Sequence, residues 1–185
     1  MRTPFALLLF VSAALLCSQA KAADYSNVDA MNQCTSILKE RTAAMVARDW
    51  GHLQRLAGQY LSTCKSTVDR EAYSNAFVHL AIANLELKNI AGAIAASDSC
   101  IAAYYANSDC HIYRLHALIA LARMSEARKA YSVAERLVEY SIEKSERGLR
   151  DTSSELERHF HIAQLENLNA QKSLLDALRR RYFSE

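Results

Sequence analysis

Five cysteines and six histidines are the residues of this 185-residue chain best suited to act as nucleophile, base or metal ligand. Cys17 sits in an apolar leader, which leaves Cys34, Cys64, Cys100 and Cys110. No two of these have C-x-x-C spacing, so a cysteine metal site is not expected. His111 and His116 are five residues apart, about 140° around a helix, and do not share a face. His159 and His161 are two apart and point away from each other. Glu157 and His161 are four apart and make a surface pair, while His52 and His79 stand alone. H-E-x-x-H, G-x-S-x-G and a glycine-rich phosphate loop are absent from the sequence. An oxidised cysteine is no thiolate, so the residues read as a non-enzyme with no cofactor and no metal.

Residues 1–22 set the compartment in which those cysteines work. Arg2 precedes an apolar run from Phe5 to Leu16, and Ala20-Lys21-Ala22 ends it with small residues at −3 and −1. This pattern is that of a cleaved secretory signal, too short for a membrane span. The expected product is one exported domain, residues 23–185, periplasmic in a Gram-negative bacterium and otherwise secreted. Cleavage removes Arg2 and Lys21, leaving 20 basic residues against 20 acidic. Without an excess of positive charge, binding to nucleic acid is not expected. In an oxidising compartment the four remaining cysteines form two disulfides, in one of three pairings.

The elements that position these cysteines follow from scarce chain breakers. Beyond residue 22 there is no proline, and glycine occurs only at 51, 58, 92 and 148. Alanine, leucine, glutamate, lysine and arginine fill the intervals, so an all-α chain is expected. Apolar periodicity gives a hairpin over 28–66, a second over 69–104, a third over 109–147 and a C-terminal helix over 153–182. Asp69 and Asn89 serve as helix starts, Gly148 as a helix stop, and Thr152 with Glu155 as a capping box. Cys34 and Cys64 are equidistant from the break at Arg48-Asp49-Trp50-Gly51, which places them side by side on one hairpin. Cys100 and Cys110 flank Asn107-Ser108-Asp109, which favours the pairs Cys34 with Cys64 and Cys100 with Cys110.

Ala76, Phe77, Leu80, Ala81, Ile90, Ala93, Ile94 and Cys100 fall at the spacing of a tetratricopeptide repeat, which this segment resembles. Ala127 follows Ala93 by 34 residues, and Met124, Ala127, Tyr131 and Ala134 are in the second-helix register of a further unit. Asn84 stands where the family usually has tyrosine, and Arg114 and Leu115 occupy the Leu-small positions. The resemblance implies a right-handed stack of antiparallel hairpins, with the C-terminal helix as its cap. It also implies a concave face carrying Val78, Ile82, Leu85, Glu86, Ile112, His116 and Ile119. The same residues read without the family are simply core.

The function these readings support is an exported protein-interaction module, an adaptor or assembly factor holding another exported protein or peptide segment. An inhibitor or immunity protein that neutralises a secreted toxin or hydrolase is the alternative, and a structural homo-oligomer is the third reading. The stripe Leu156, Phe160, Ala163, Leu168, Leu175 and Leu178 on the last helix is too apolar to stay bare, and serves as a cap or a docking face.

Overall fold

A computed structural model describes residues 28–183. The signal reading of residues 1–22 lies outside them. Seven α-helices follow in order: α1 (28–47), α2 (Trp50–Thr63), α3 (Arg70–Glu86), α4 (Ile90–Ala103), α5 (Ser108–Ala120), α6 (Met124–Asp151) and α7 (Glu155–Leu178). One π-helical turn, Arg179–Phe183, ends the described chain, and no strand occurs among the described residues. From α2 onward each helix packs against the next, and α3 also touches α5. No helix among the described residues is long and apolar enough to cross a membrane.

The turns after α1, α3 and α5 are built alike. Each contains one residue in the left-handed region: Arg48 (φ 55°), Lys88 (φ 61°) and Ala122 (φ 55°). Its N–H donates to the carbonyl three residues back, at 3.1, 3.0 and 2.9 Å. The N–H of the next residue donates five back: Asp49 to Ala44, Asn89 to Asn84 and Arg123 to Leu118. Paired bonds of this kind form a Schellman motif, which stops one helix and aims the next. The residue that completes the motif then caps the following helix and accepts from Leu53, Ala93 and Ala127 respectively, all fully buried. The motif's return from Lys88 to Ala122 therefore coincides with the spacing of Ala93 and Ala127.

None of the three left-handed residues is glycine, and an L side chain there costs about 1 kcal/mol. Ala122 is exposed. Ala122→Gly is expected to raise the unfolding free energy by about 0.5–1 kcal/mol, read as a higher urea midpoint at unchanged m-value. An unchanged or lower midpoint would contradict the strain argument.

Asn84 joins three helices. Its Oδ1 accepts from Gln54 Nε2 of α2 (3.0 Å) and from Asn89 Nδ2 before α4 (2.8 Å), while its Nδ2 donates to the Leu80 carbonyl. Buried amides must be satisfied in this way. Gly92 exists to leave them room, since a Cβ there would come within 2.6 Å of Asn84 Oδ1. Gly92→Ala is therefore expected to destabilise by about 1–2 kcal/mol despite the better helix propensity of alanine. A thermal melt equal to the parent's would show that the amides can move aside.

Both disulfides are present. Cys34–Cys64 ties α1 to the end of α2, and Cys100–Cys110 ties α4 to α5, with Cα separations of 5.7 and 5.6 Å. Two expected helix ends are displaced. Gly148 does not stop α6, which continues to Asp151; a side chain at 148 would collide with the His161 ring, so the glycine serves close packing of α6 on α7. The capping pair of α7 is Ser154 with Glu157 rather than Thr152 with Glu155. Ser154 Oγ accepts from the Glu157 N–H, and Thr152 instead hydrogen-bonds the Glu157 carboxylate.

Candidate binding cleft

The face implied by the resemblance is largely interior. Val78 and Ile82 are 6% and 8% exposed, and pack with the Cys100–Cys110 bridge, Trp50, Phe77 and Tyr113. Ile112 is 2% exposed and lies in the cluster formed by α5, α6 and α7 with Leu115, Leu118, Val138 and Leu175. Leu85, His116 and Ile119 are half-buried, and only Glu86 is exposed. These positions do not form an open apolar groove. The contact of α3 with α5 closes over the first pair, and α7 folds back over the second.

An open site lies elsewhere and is polar. α6 has 28 residues and its partner α5 only 13, so α6 runs on past the start of α5. α7 returns along this overhang, and the two helices, the start of α3 and the α4–α5 turn enclose a cleft of about 260 Å³. Ser108, Leu168 and Gln171 are its buried floor. Glu71 and Asn75 come from α3, Tyr104 and Asn107 from the turn, Asp109 from α5, Tyr140, Ser141 and Lys144 from α6, and Gln164 and Asn167 from α7.

Hydrogen bonds fix this floor. Gln171 accepts from Ser108 Oγ (2.8 Å) and donates to Asp109 Oδ1 (2.9 Å), locking α7 over the start of α5. Asn107 caps α5 through the Asp109 N–H, and its Nδ2 donates to Ser74 Oγ and Asn75 Oδ1, both at 2.9 Å. Above it, Ser145 Oγ donates to Gln164 Oε1 (2.8 Å). Burial pushes the Asp109 carboxyl above the usual carboxylate range. Burial and the Asp109 charge together push the Tyr113 phenol to about 12. The Glu71 carboxylate, Lys144 and Asn167 hold no hydrogen bond or ion pair with another described side chain. Asn107 and Gln171 spend both amide functions on the floor, whereas Asn167, Asn75 Nδ2 and Gln164 Nε2 keep hydrogen-bonding capacity for a ligand that offers both donors and acceptors.

The histidines do not converge. His111 Nε2 is 3.0 Å from the Tyr105 carbonyl, His116 lies beside Tyr113, His161 packs on Gly148, and His52 is near Asp49. His79 is half-buried near Arg41, whose guanidinium stacks 4.4 Å from the Tyr60 ring centre and is 2% exposed. Arg41 Nε and Nη1 have no hydrogen-bond partner among the described residues. No group of three His, Cys, Asp or Glu able to hold a metal ion occurs among the described residues.

Sequence reasoning missed the cleft because its residues come from five separate places and match no motif. The one legible signal was Gln164, Asn167 and Gln171, a carboxamide stripe at helical spacing beside Leu168. The apolar stripe of α7 is buried only at Leu168, Leu175 and Leu178; Leu156 and Phe160, on the overhang, are 80% and 63% exposed.

No protein-family model matches the chain, and no curated protein matches it either. Among solved structures, a crystal structure of a candidate protein binding protein from Bacteroides ovatus ATCC 8483 aligns with a TM-score of 0.35 and 15% identity, over 79% of this chain and 87% of that one.

Proposed function

We propose that the protein is an exported, non-enzymatic interaction module, an adaptor or assembly factor. Its hairpins stack in the manner of tetratricopeptide repeats, and it holds an extended segment of another exported protein in the α3–α7 cleft. The observation that carries this reading is the polar lining of a fixed cleft, with carboxamides from α3, the α4–α5 turn and α7. Extended main chain presents one donor and one acceptor per residue, which such amides match. The three recurrent Schellman turns support the stacked-hairpin arrangement. The two disulfides fit an oxidising compartment.

The test is capture from an extracytoplasmic extract, with the oxidised protein as bait beside a double variant, Tyr140→Ala and Asn167→Ala. Both side chains are exposed, so the variant is expected to keep the parent's melting behaviour. A partner held by the parent and reduced at least about tenfold with the variant, a loss of some 1.4 kcal/mol, supports the cleft. Equal capture by both moves the interface elsewhere, and capture by neither overturns the interaction reading.

A further inference from the structure

We propose that the cleft recognises a primary ammonium group borne by a polypeptide, either a lysine side chain or a free amino terminus, seated against Asp109. This deepens the interaction reading and rests on it. Among the cleft's charged groups there are two carboxylates, Glu71 and Asp109, against one cation, Lys144. Their positions differ: Lys144 and Glu71 are exposed, whereas Asp109 is half-buried and hydrogen-bonded to the floor. Neither carboxylate is ion-paired within the described chain. A partly desolvated carboxylate without a counter-ion is unfavourable, and a ligand cation that reaches it recovers that energy.

The surroundings suit an ammonium on a peptide. Gln171 occupies Asp109 Oδ1 and is itself held by Ser108, which fixes the carboxylate and leaves its second oxygen for a ligand. Tyr104 and Tyr140 add aromatic surface to the walls, which attracts a cation further. Asn75, Gln164 and Asn167 line the same cleft and offer amides to the flanking peptide bonds. A volume of about 260 Å³ admits a side chain or a chain end. It does not admit a helix, whose diameter with side chains is about 10–12 Å.

The experiment is an amide NMR titration of the oxidised protein with four short peptides. They are acetyl-Gly-Gly-Lys-Gly-Gly-amide, the same peptide with Nε-acetyl-lysine, pentaglycine amide with a free amino terminus, and acetyl-pentaglycine amide. Expected is a shift confined to residues around Asn75, Asp109, Tyr140 and Gln171, with one ammonium-bearing peptide binding at least about tenfold more tightly than its acetylated counterpart. Whichever pair shows the difference identifies the source as side chain or terminus. Asp109→Asn, which keeps a partner for Gln171, is expected to abolish the difference. Lys144→Gln is expected to enlarge it by removing a like charge.

Equal binding of charged and acetylated peptides at the cleft overturns the ammonium assignment and leaves main-chain recognition intact. No cleft shift with any peptide overturns the ammonium assignment. Capture from the extract then decides whether the wider interaction reading falls with it.

Discussion

Replacing Cys34 and Cys64 together with alanine is expected to lower the unfolding free energy by about 3–4 kcal/mol, with the loss felt first in α1. The bridge spans a sequence separation of 30, and closing a loop of that length in the unfolded chain accounts for an effect of this size. α1 needs the bridge because its inner stripe is meagre. Cys34, Ile37, Arg41 and Ala44 face inward, while Met31, Leu38 and Val46 face solvent. Of the four inward side chains one is small and one is a guanidinium, so hydrophobic burial holds the helix weakly. Hydrogen exchange should show protection lost over 31–44 and retained in α5 and α6. Uniform loss across all helices, or a change in stability below about 1 kcal/mol, would show that α1 is held by packing alone.

Acidification from pH 7 to pH 4 is expected to remove up to about 3 kcal/mol of stability through His79. Burial, and the neighbouring Arg41 charge, lower this imidazole from the ordinary 6.5 to about 4. A group whose folded pKa is depressed leaves the unfolded chain holding more protons between the two values. Stability is therefore constant above pH 6.5 and falls as the pH drops from 6.5 to 4, by about 1.36 kcal/mol for each pH step of one between those values. Burial also lowers His111, near the Arg114 charge, and His116, and both act in the same direction. Asp109 acts oppositely, because its raised carboxyl favours the folded state as acid is added and offsets part of the loss. Urea midpoints at pH 7, 5.5 and 4 would measure the slope. A His79→Phe variant should flatten it by the His79 share, and an equal fall in parent and variant would assign the acid sensitivity to other groups.

Arg41 adds to the burial that makes His79 susceptible to this effect. A guanidinium over the Tyr60 ring with no ion-paired carboxylate among the described residues is a positive charge in the interior. Protonating His79 would place a second positive charge near it, where water screens poorly. Nothing in the residue pattern around 41 announces this, since arginine on an amphipathic helix ordinarily reaches solvent. It becomes visible only when α2 and α3 are packed over it.

Composition and spacing alone determined the helical class, the starts of α3 and α4 at Asp69 and Asn89, and the pairing of all four cysteines. These are local matters: propensity, capping and distance from a turn act within a few residues or across a single hairpin. Tertiary structure decided which apolar faces are covered. Val78 and Ile82 occupy positions equally suited to a groove or a core, and the α3–α5 contact made them core. Gly148 fits a helix stop by sequence and is instead the point where the His161 ring lies against α6. The cleft, too, arose only from assembly. It exists because α6 outlasts α5 and α7 doubles back along it, bringing Glu71, Asn75, Asn107, Asp109, Lys144 and Gln171 together from helices and a turn whose sequences carry no common mark. Periodicity records that a side chain faces a neighbour; the relative lengths and directions of the helices settle which neighbour, and where a gap is left.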